Sequence, residues 1–125
     1  MLARYRIVRG RRAEDDPLPD GVRQDTRKHT RHVLRPSAEL VAALLADSSE
    51  RSFRRFASAY RALLEERFGS ERERFDELAR LAREQHVYLG CNCPTERQPD
   101  VRRCHTALAL AFLRERYPDL DVREP

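Results

Sequence analysis

All three cysteines of this chain lie close to one of its four histidines. The segment Cys91-Asn92-Cys93-Pro94 is followed ten residues later by Cys104-His105. Three thiols and an imidazole at this spacing can bind a metal, carry out thiol chemistry, or pack in a core. A metal needs converging ligands, thiol chemistry needs an accessible cysteine of lowered pKa, and packing needs only apolar neighbours.

Thiol chemistry is the first alternative, and it makes Cys93 the candidate nucleophile. Cys93 lies in a loop just before a predicted helix, where unpaired N–H groups and the helix dipole lower the pKa of a thiol. His105 would act as a base or an orienting group, and Cys104 as a resolving thiol. Arginines would bind an anionic substrate. The candidate anion-binding residues are Arg9, Arg23, Arg102 and Arg103.

A metal site is the second alternative. It would hold zinc or iron through sulfur and nitrogen donors. The spacing is less typical than the donor types, because zinc motifs usually separate paired cysteines by two or more residues. Neighbouring positions of a helix also point about 100° apart. The candidate ligands are Cys91, Cys93, Cys104 and His105.

Plain burial is the third alternative. Cys104 shares a helical stripe with Leu108 and Phe112, and Cys91 continues an apolar run. Free cysteine is among the most buried residue types. In that case His105 would only hydrogen-bond to nearby backbone. The sequence leaves all three alternatives open.

The elements around the cysteines form a predicted strand-to-helix junction. Residues 87–91 read as a short buried strand, and a helix is predicted from Pro99-Asp100 to Tyr117-Pro118. Ligands of open α/β sheets gather beyond the carboxyl ends of the strands, which is where Cys91 and Cys93 would lie. The predicted inward stripe of the helix consists of Val101, Cys104, Leu108, Ala111 and Phe112.

The rest of the chain predicts a first strand, three helices and a candidate last strand. Residues 3–9 alternate as a half-buried first strand, with Tyr5 and Ile7 on one face and Arg4 and Arg6 on the other. Helices follow at about 37–46, from the capping residues 47–49 to Gly69, and from a Ser70/Glu73 capping box onward. Leu120-Asp121-Val122 is a candidate last strand.

These elements predict a single α/β domain over residues 1–125. We expect a small, mainly parallel sheet of three or four short strands, covered by about four helices in a three-layer-like arrangement. Residues 10–35 form a long basic and irregular loop segment within it. A loop of that length inside a compact domain is typical of functional or disordered segments.

Composition predicts a cytoplasmic protein without a membrane partner. The start has no hydrophobic core of a signal peptide, and no apolar stretch approaches the length of a membrane span. The formal net charge is +4, and the basic stretch 23–35 would bind nucleic acid through phosphates. That stretch lacks aromatic residues for base stacking, so a solvated loop or a pocket for one small anion is the commoner explanation.

Three stretches of the chain resemble the domain-of-unknown-function 488 family. They are the proline-rich loop at 16–23, the aromatic and arginine-rich helix at 53–63, and the strand 87–91 followed by Cys104-His105. The resemblance runs from about residue 4 to 115 and implies a compact α/β fold with a small sheet covered by helices. It implies no activity. Thr106 stands where many members have arginine, and Cys93-Pro94 departs from their pattern.

The functional hypothesis is a small enzyme or redox protein of that family. It would act on a small anionic substrate through Cys93, with His105 and nearby arginines assisting. The alternatives are a metal-binding module holding zinc or iron, and a basic accessory protein that binds nucleic acid.

Overall fold

The chain folds into a three-stranded sheet and four helices. A computed structural model describes all residues from 1 to 125. The elements are β1 (Leu2–Arg6), β2 (Val22–Asp25), α1 (Ala38–Ala46), α2 (Glu50–Ser70), α3 (Arg72–Glu84), β3 (Val87–Cys91), a 3₁₀ turn (Val101–Arg103) and α4 (His105–Arg116). No helix is long and apolar enough to cross a membrane.

The three strands are all parallel, and β3 lies in the centre of the order β1-β3-β2. Leu2 and Val22 both lie opposite Val87 in the register. A central strand covered on both edges suits a near-continuous apolar sequence, and Val87 and Leu89 are fully buried. The predicted small parallel sheet is confirmed. The candidate last strand is a single bridge between Leu2 and Val122.

Helix α4 packs directly on β1 and β3, and α2 packs on the other side of α4. The sheet, α4 and α2 are therefore successive layers, in agreement with the predicted α/β fold. Because α4 lies between two layers, it is buried almost all round rather than along one stripe. The predicted inward stripe is wrong in part: Ala111 is exposed, while Ala109, Leu110 and Leu113 are fully buried.

The predicted N-terminal ends of the first two helices are right. Ser37 and Ser49 cap α1 and α2, because their side chains accept hydrogen bonds from the backbone N–H groups of Leu40 and Ser52. The left-handed helix end predicted at Gly69 is wrong, although α2 ends only one residue later, at Ser70.

Helix α2 continues through Gly69, which does not adopt a positive φ. The Ser70 hydroxyl donates to the carbonyl of Glu66 within the same helix and caps nothing. Helix α3 begins after Glu71 without a side-chain cap.

The first strand has the predicted alternation, with Arg4 on one face and Tyr5 and Ile7 on the other. Leu2 is fully buried, and Arg4 on the same face contacts the start of α4. Tyr5 and Ile7 lie against Gly90 on the other face, where an added Cβ would come within 2.8 and 2.7 Å of their side chains. Glycine at position 90 thus allows these two side chains to cover β3 closely.

Two side chains of α2 hold the segment that leads into α1. The Tyr60 hydroxyl donates to the carbonyl of Leu34 at 2.5 Å. The Arg67 guanidinium donates to the carbonyls of Val33 and Arg35 at 2.8 and 2.6 Å. Buried carbonyls need such partners, so α2 fixes the end of the long basic segment through its backbone.

The Tyr60 hydroxyl yields a stability prediction. Tyr60→Phe should lower the free energy of unfolding by about 1–2 kcal/mol, because the buried carbonyl of Leu34 loses its donor. Urea denaturation measures the change. Tyr88→Phe is the matched control, since Tyr88 is half-buried and its hydroxyl bonds to no protein group. An equal loss of unfolding free energy in the two variants would show that the Tyr60 hydrogen bond does not stabilise the fold.

Candidate functional site

The three cysteine sulfurs converge at the carboxyl end of β3. Cys91 ends β3, Cys93 follows in the loop, and Cys104 immediately precedes α4. All three sulfurs lie within 4.8 Å of one another. The Sγ–Sγ distances are 3.1 Å from Cys104 to Cys91 and 3.9 Å from Cys91 to Cys93. The side chains are free thiols, and each residue is at most 9% exposed.

Arg4 supports this cluster from β1. Its Nη2 donates to the carbonyl of Cys93 at 2.6 Å, and its Nε donates to the hydroxyl of Thr106 at 3.1 Å. Thr106 in turn donates to the sulfur of Cys104 at 3.3 Å. One guanidinium therefore contacts both the loop that follows β3 and the first turn of α4.

A hydrogen-bond chain fixes the orientation of His105. The Thr26 hydroxyl donates to the carbonyl of Gly90 at 2.9 Å, so its oxygen accepts from the Nε2–H of His105, 2.8 Å away. The other ring nitrogen, Nδ1, then faces the sulfurs of Cys91 and Cys104 at 3.8 and 3.7 Å. Thr26 is fully buried and His105 is 6% exposed.

The cluster lowers the pKa of the Cys104 thiol. Hydrogen bonds from Cys91 and Cys93 lower the pKa of Cys104, and His105 adds to the effect. The same coupling to Cys104 and Cys91 raises the pKa of Cys93, which keeps its proton. Burial alone would lower the pKa of His105, but hydrogen bonds with Cys104 and Cys91 outweigh it and raise that pKa to about 9. The two shifts favour the ion pair of a Cys104 thiolate and a His105 imidazolium over the neutral pair.

The sulfurs lie at the base of an open cavity of about 550 Å³. That volume is within the range of small-molecule sites. One wall is apolar and consists of Val41, Leu44 and Leu45 of α1 with Phe56 of α2. The lining also has a polar part, which contains Arg27, Lys28, Asn92 and Arg97.

The predicted anion-binding arginines lie away from this cavity. Arg102 pairs with Asp100, and Arg103 pairs with Glu50. Arg23 donates to the carbonyl of Pro19. Arg9 is exposed, and none of the four predicted arginines lines the cavity. Their role in anion binding stays a prediction, as does nucleic-acid binding by the basic segment.

The sequence predicted that the three cysteines and His105 would be neighbours in space. It did not predict the residues that orient them. Thr26 follows β2 and joins the site because β2 and β3 are neighbours in the sheet. A second strand predicted at 22–25 would have indicated that Thr26 belongs to the site, since the carboxyl ends of parallel strands lie at the same edge of a sheet. Arg27 also lies at that edge, where it pairs with Asp25 and donates to Asn92 at 3.0 Å.

The sulfur cluster also has the donor chemistry of a metal site. Sulfurs bound to one tetrahedral zinc at about 2.3 Å lie roughly 3.8 Å apart. The Cys91–Cys93 distance of 3.9 Å fits this value, and the Cys91–Cys104 distance of 3.1 Å is shorter. His105 has the hydrogen bond on its second nitrogen that metal-bound histidines usually make.

Replacing the Thr26 hydroxyl tests the chain that orients His105. Thr26→Val keeps the shape and should cost about 1–3 kcal/mol of unfolding free energy, because the buried Nε2–H loses its acceptor. In NMR spectra the slowly exchanging Nε2 proton of His105 should disappear. Ser70→Ala removes an exposed hydroxyl and serves as the control, with a change within about 0.5 kcal/mol. A persistent, protected Nε2 proton in Thr26→Val would contradict this role.

Comparison with known proteins agrees with the resemblance seen in the sequence. The model of the active DUF488-N3 subclade matches residues 4–117. No curated protein and no solved structure matches the chain significantly. The family match covers most of the chain, including β1, the cysteine cluster and α4. The chain therefore belongs to the domain-of-unknown-function 488 family.

Proposed function

We propose that the protein is a small thiol enzyme that acts on a small anionic substrate through the Cys104 thiolate. One observation carries the proposal: the Thr26 hydroxyl turns His105 so that its Nδ1 faces the sulfur of Cys104 at 3.7 Å. Activated nucleophiles generally have this arrangement, in which a histidine or another proton-exchanging group lies beside the nucleophile and a third group orients it. The pattern lies at the base of a cavity, where a substrate can reach it.

Each residue has a defined role in this chemistry. The Cys104 sulfur attacks an electrophilic atom of the substrate and forms a bond to it. The bond to the leaving group breaks with its electron pair, and the imidazolium of His105 donates its Nδ1 proton to that group. Thr26 positions the ring, and the Cys91 thiol at 3.1 Å stabilises the thiolate before attack. Cys93, the nucleophile expected from the sequence, is less suited because its pKa is raised.

The charge of the cavity supports an anionic substrate. Arg27, Lys28 and Arg97 lie along its polar wall, and Glu96 is the one acidic residue among those that line it. Cations beside a reacting centre attract and orient anions. They would also stabilise negative charge that develops on the leaving group.

The reactivity of Cys104 gives a direct test. Its thiolate persists wherever the pH exceeds its lowered pKa, so the alkylation rate with iodoacetamide should be nearly constant from about pH 6 to about pH 8. An ordinary thiol would react about tenfold faster per pH unit over that range. As the pH rises through about 9, His105 loses its proton and the thiolate loses its charged partner.

Two serine variants identify the reactive sulfur in that assay. Cys104→Ser should abolish the fast phase of labelling, and Cys93→Ser should retain it. Mass spectrometry of the labelled protein assigns the site. Slow labelling of all three cysteines at one rate, or loss of the fast phase in Cys93→Ser alone, would contradict a Cys104 thiolate.

A metal-binding module is the second candidate, favoured by the convergence of three sulfurs within 4.8 Å. Cys91, Cys93 and Cys104 would be the ligands, and His105 would be either a fourth ligand or a hydrogen-bond partner. Zinc or iron is the metal that sulfur donors of this kind select. A bound ion would engage the thiolate, so this candidate and rapid alkylation exclude each other.

Metal content separates the two candidates. A metal site predicts about one equivalent of bound metal after purification without added metal, and a lower melting temperature with a chelator. Elemental analysis measures the bound metal, and thermal unfolding measures the melting temperature. Cys91→Ser should lower both the metal content and the melting temperature. A metal-free protein whose melting temperature is unchanged by chelator would eliminate the metal module.

A further inference from the structure

We infer that the ligand of this cavity is an amphipathic organic anion, with an apolar group against α1 and an anionic group against Arg27, Lys28 and Arg97. The part of the inference that concerns a reaction of the ligand with sulfur rests on the proposed thiol function. The part that concerns binding rests only on the apolar and cationic residues that line the cavity.

Helix α1 supplies the first observation. It is the one α-helix with no buried residue, although its sequence is predominantly apolar. Leu40 and Leu44 pack against the main core, whereas Val41 and Leu45 are half-buried and belong to no core cluster. Val41 and Leu45 line the cavity instead.

Those two side chains leave apolar surface that a ligand can cover. Fully burying a Val or Leu side chain is worth about 1.5–3 kcal/mol relative to leaving it exposed. Phe56 extends the same wall from α2, and its ring is 4% exposed. A ligand with an aromatic or branched aliphatic group would complete the packing of α1.

The cationic residues of the lining supply the second observation. Most arginines of the chain pair with carboxylates, but no carboxylate oxygen lies within 4.0 Å of the Lys28 or Arg97 nitrogens. Arg27 is held in place by Asp25 and by Asn92. Two unpaired cations and one fixed cation therefore line the same cavity as the apolar side chains and the sulfurs.

The volume of the cavity decides between a compact and an extended anion. A water molecule occupies roughly 30 Å³ of liquid, and the cavity measures about 550 Å³. Inorganic phosphate would leave most of that space, and the whole apolar wall, in contact with water. An organic anion of moderate size contacts both walls at once.

A fluorescent dye of matching chemistry tests the inference. The dye 8-anilinonaphthalene-1-sulfonate joins an aromatic group to an anion, and N-phenyl-1-naphthylamine has the same rings without the sulfonate. Cys104→Ser protein should bind one equivalent of the anionic dye and should bind the neutral dye more weakly. Millimolar inorganic phosphate should not displace the anionic dye. Cooperative unfolding shows that the dye is not reporting a molten state.

Matched variants assign the binding to the two walls. Leu45→Gln and Lys28→Gln should each weaken binding of the anionic dye roughly tenfold, a shift of one decade in Kd. Leu18→Gln and Arg80→Gln alter exposed residues that do not line the cavity and should leave the dye affinity unchanged.

Three results would overturn the inference. They are displacement of the dye by phosphate, equal affinity for the neutral dye, and equal effects of the wall variants and their controls. The proposed function is judged separately by alkylation of the wild-type protein. Dye binding as expected without a fast-reacting cysteine would remove the thiol enzyme and keep the amphipathic site.

Discussion

The buried hydroxyl of Thr26 is the contact on which the site depends. It donates to Gly90 of β3 and accepts from His105 at the start of α4, so one oxygen joins the ends of two strands to a helix. With its only proton committed to Gly90, it can serve His105 solely as an acceptor. The orientation of the imidazole, and therefore which atom faces the sulfurs, follows from that constraint.

The surrounding structure keeps this contact dry and in place. Tyr60 stacks on Phe56 and meets the ring of His105 edge-on, while its hydroxyl holds Leu34. Helix α2 thus supports the imidazole from one side and the basic segment from the other. Arg4 supports the cluster from β1. A polar network of this kind is stable in a core only because every buried side-chain polar atom has a partner.

Local sequence patterns predicted the helices and strands, whereas contacts between distant segments determine the buried faces and the residues that orient the site. The helices α1 and α2 follow from periodicity and caps that lie within each segment, and α3 and β3 follow from periodicity alone. The stripe of α4 was misjudged because a helix packed on two sides loses the one-sided pattern. Thr26 and Arg4 carry no local signal, since each acts on residues that are close in space and far apart in sequence. The types of the donor atoms could be predicted from the sequence, whereas the opposite pKa shifts of Cys93 and Cys104 depend on the distances between the sulfurs.

The central position of β3 has a consequence for how the molecule assembles. Both outer strands come early in the chain and pair with β3, which follows three helices, and β1 also bridges to Val122 near the end of the chain. No strand pairing can form until residue 87 and beyond are available, so every rung of the sheet is a long-range contact. Such topologies fold more slowly than those with local contacts. On a growing chain the helices can form first, and the cysteine cluster comes together only when the sheet closes.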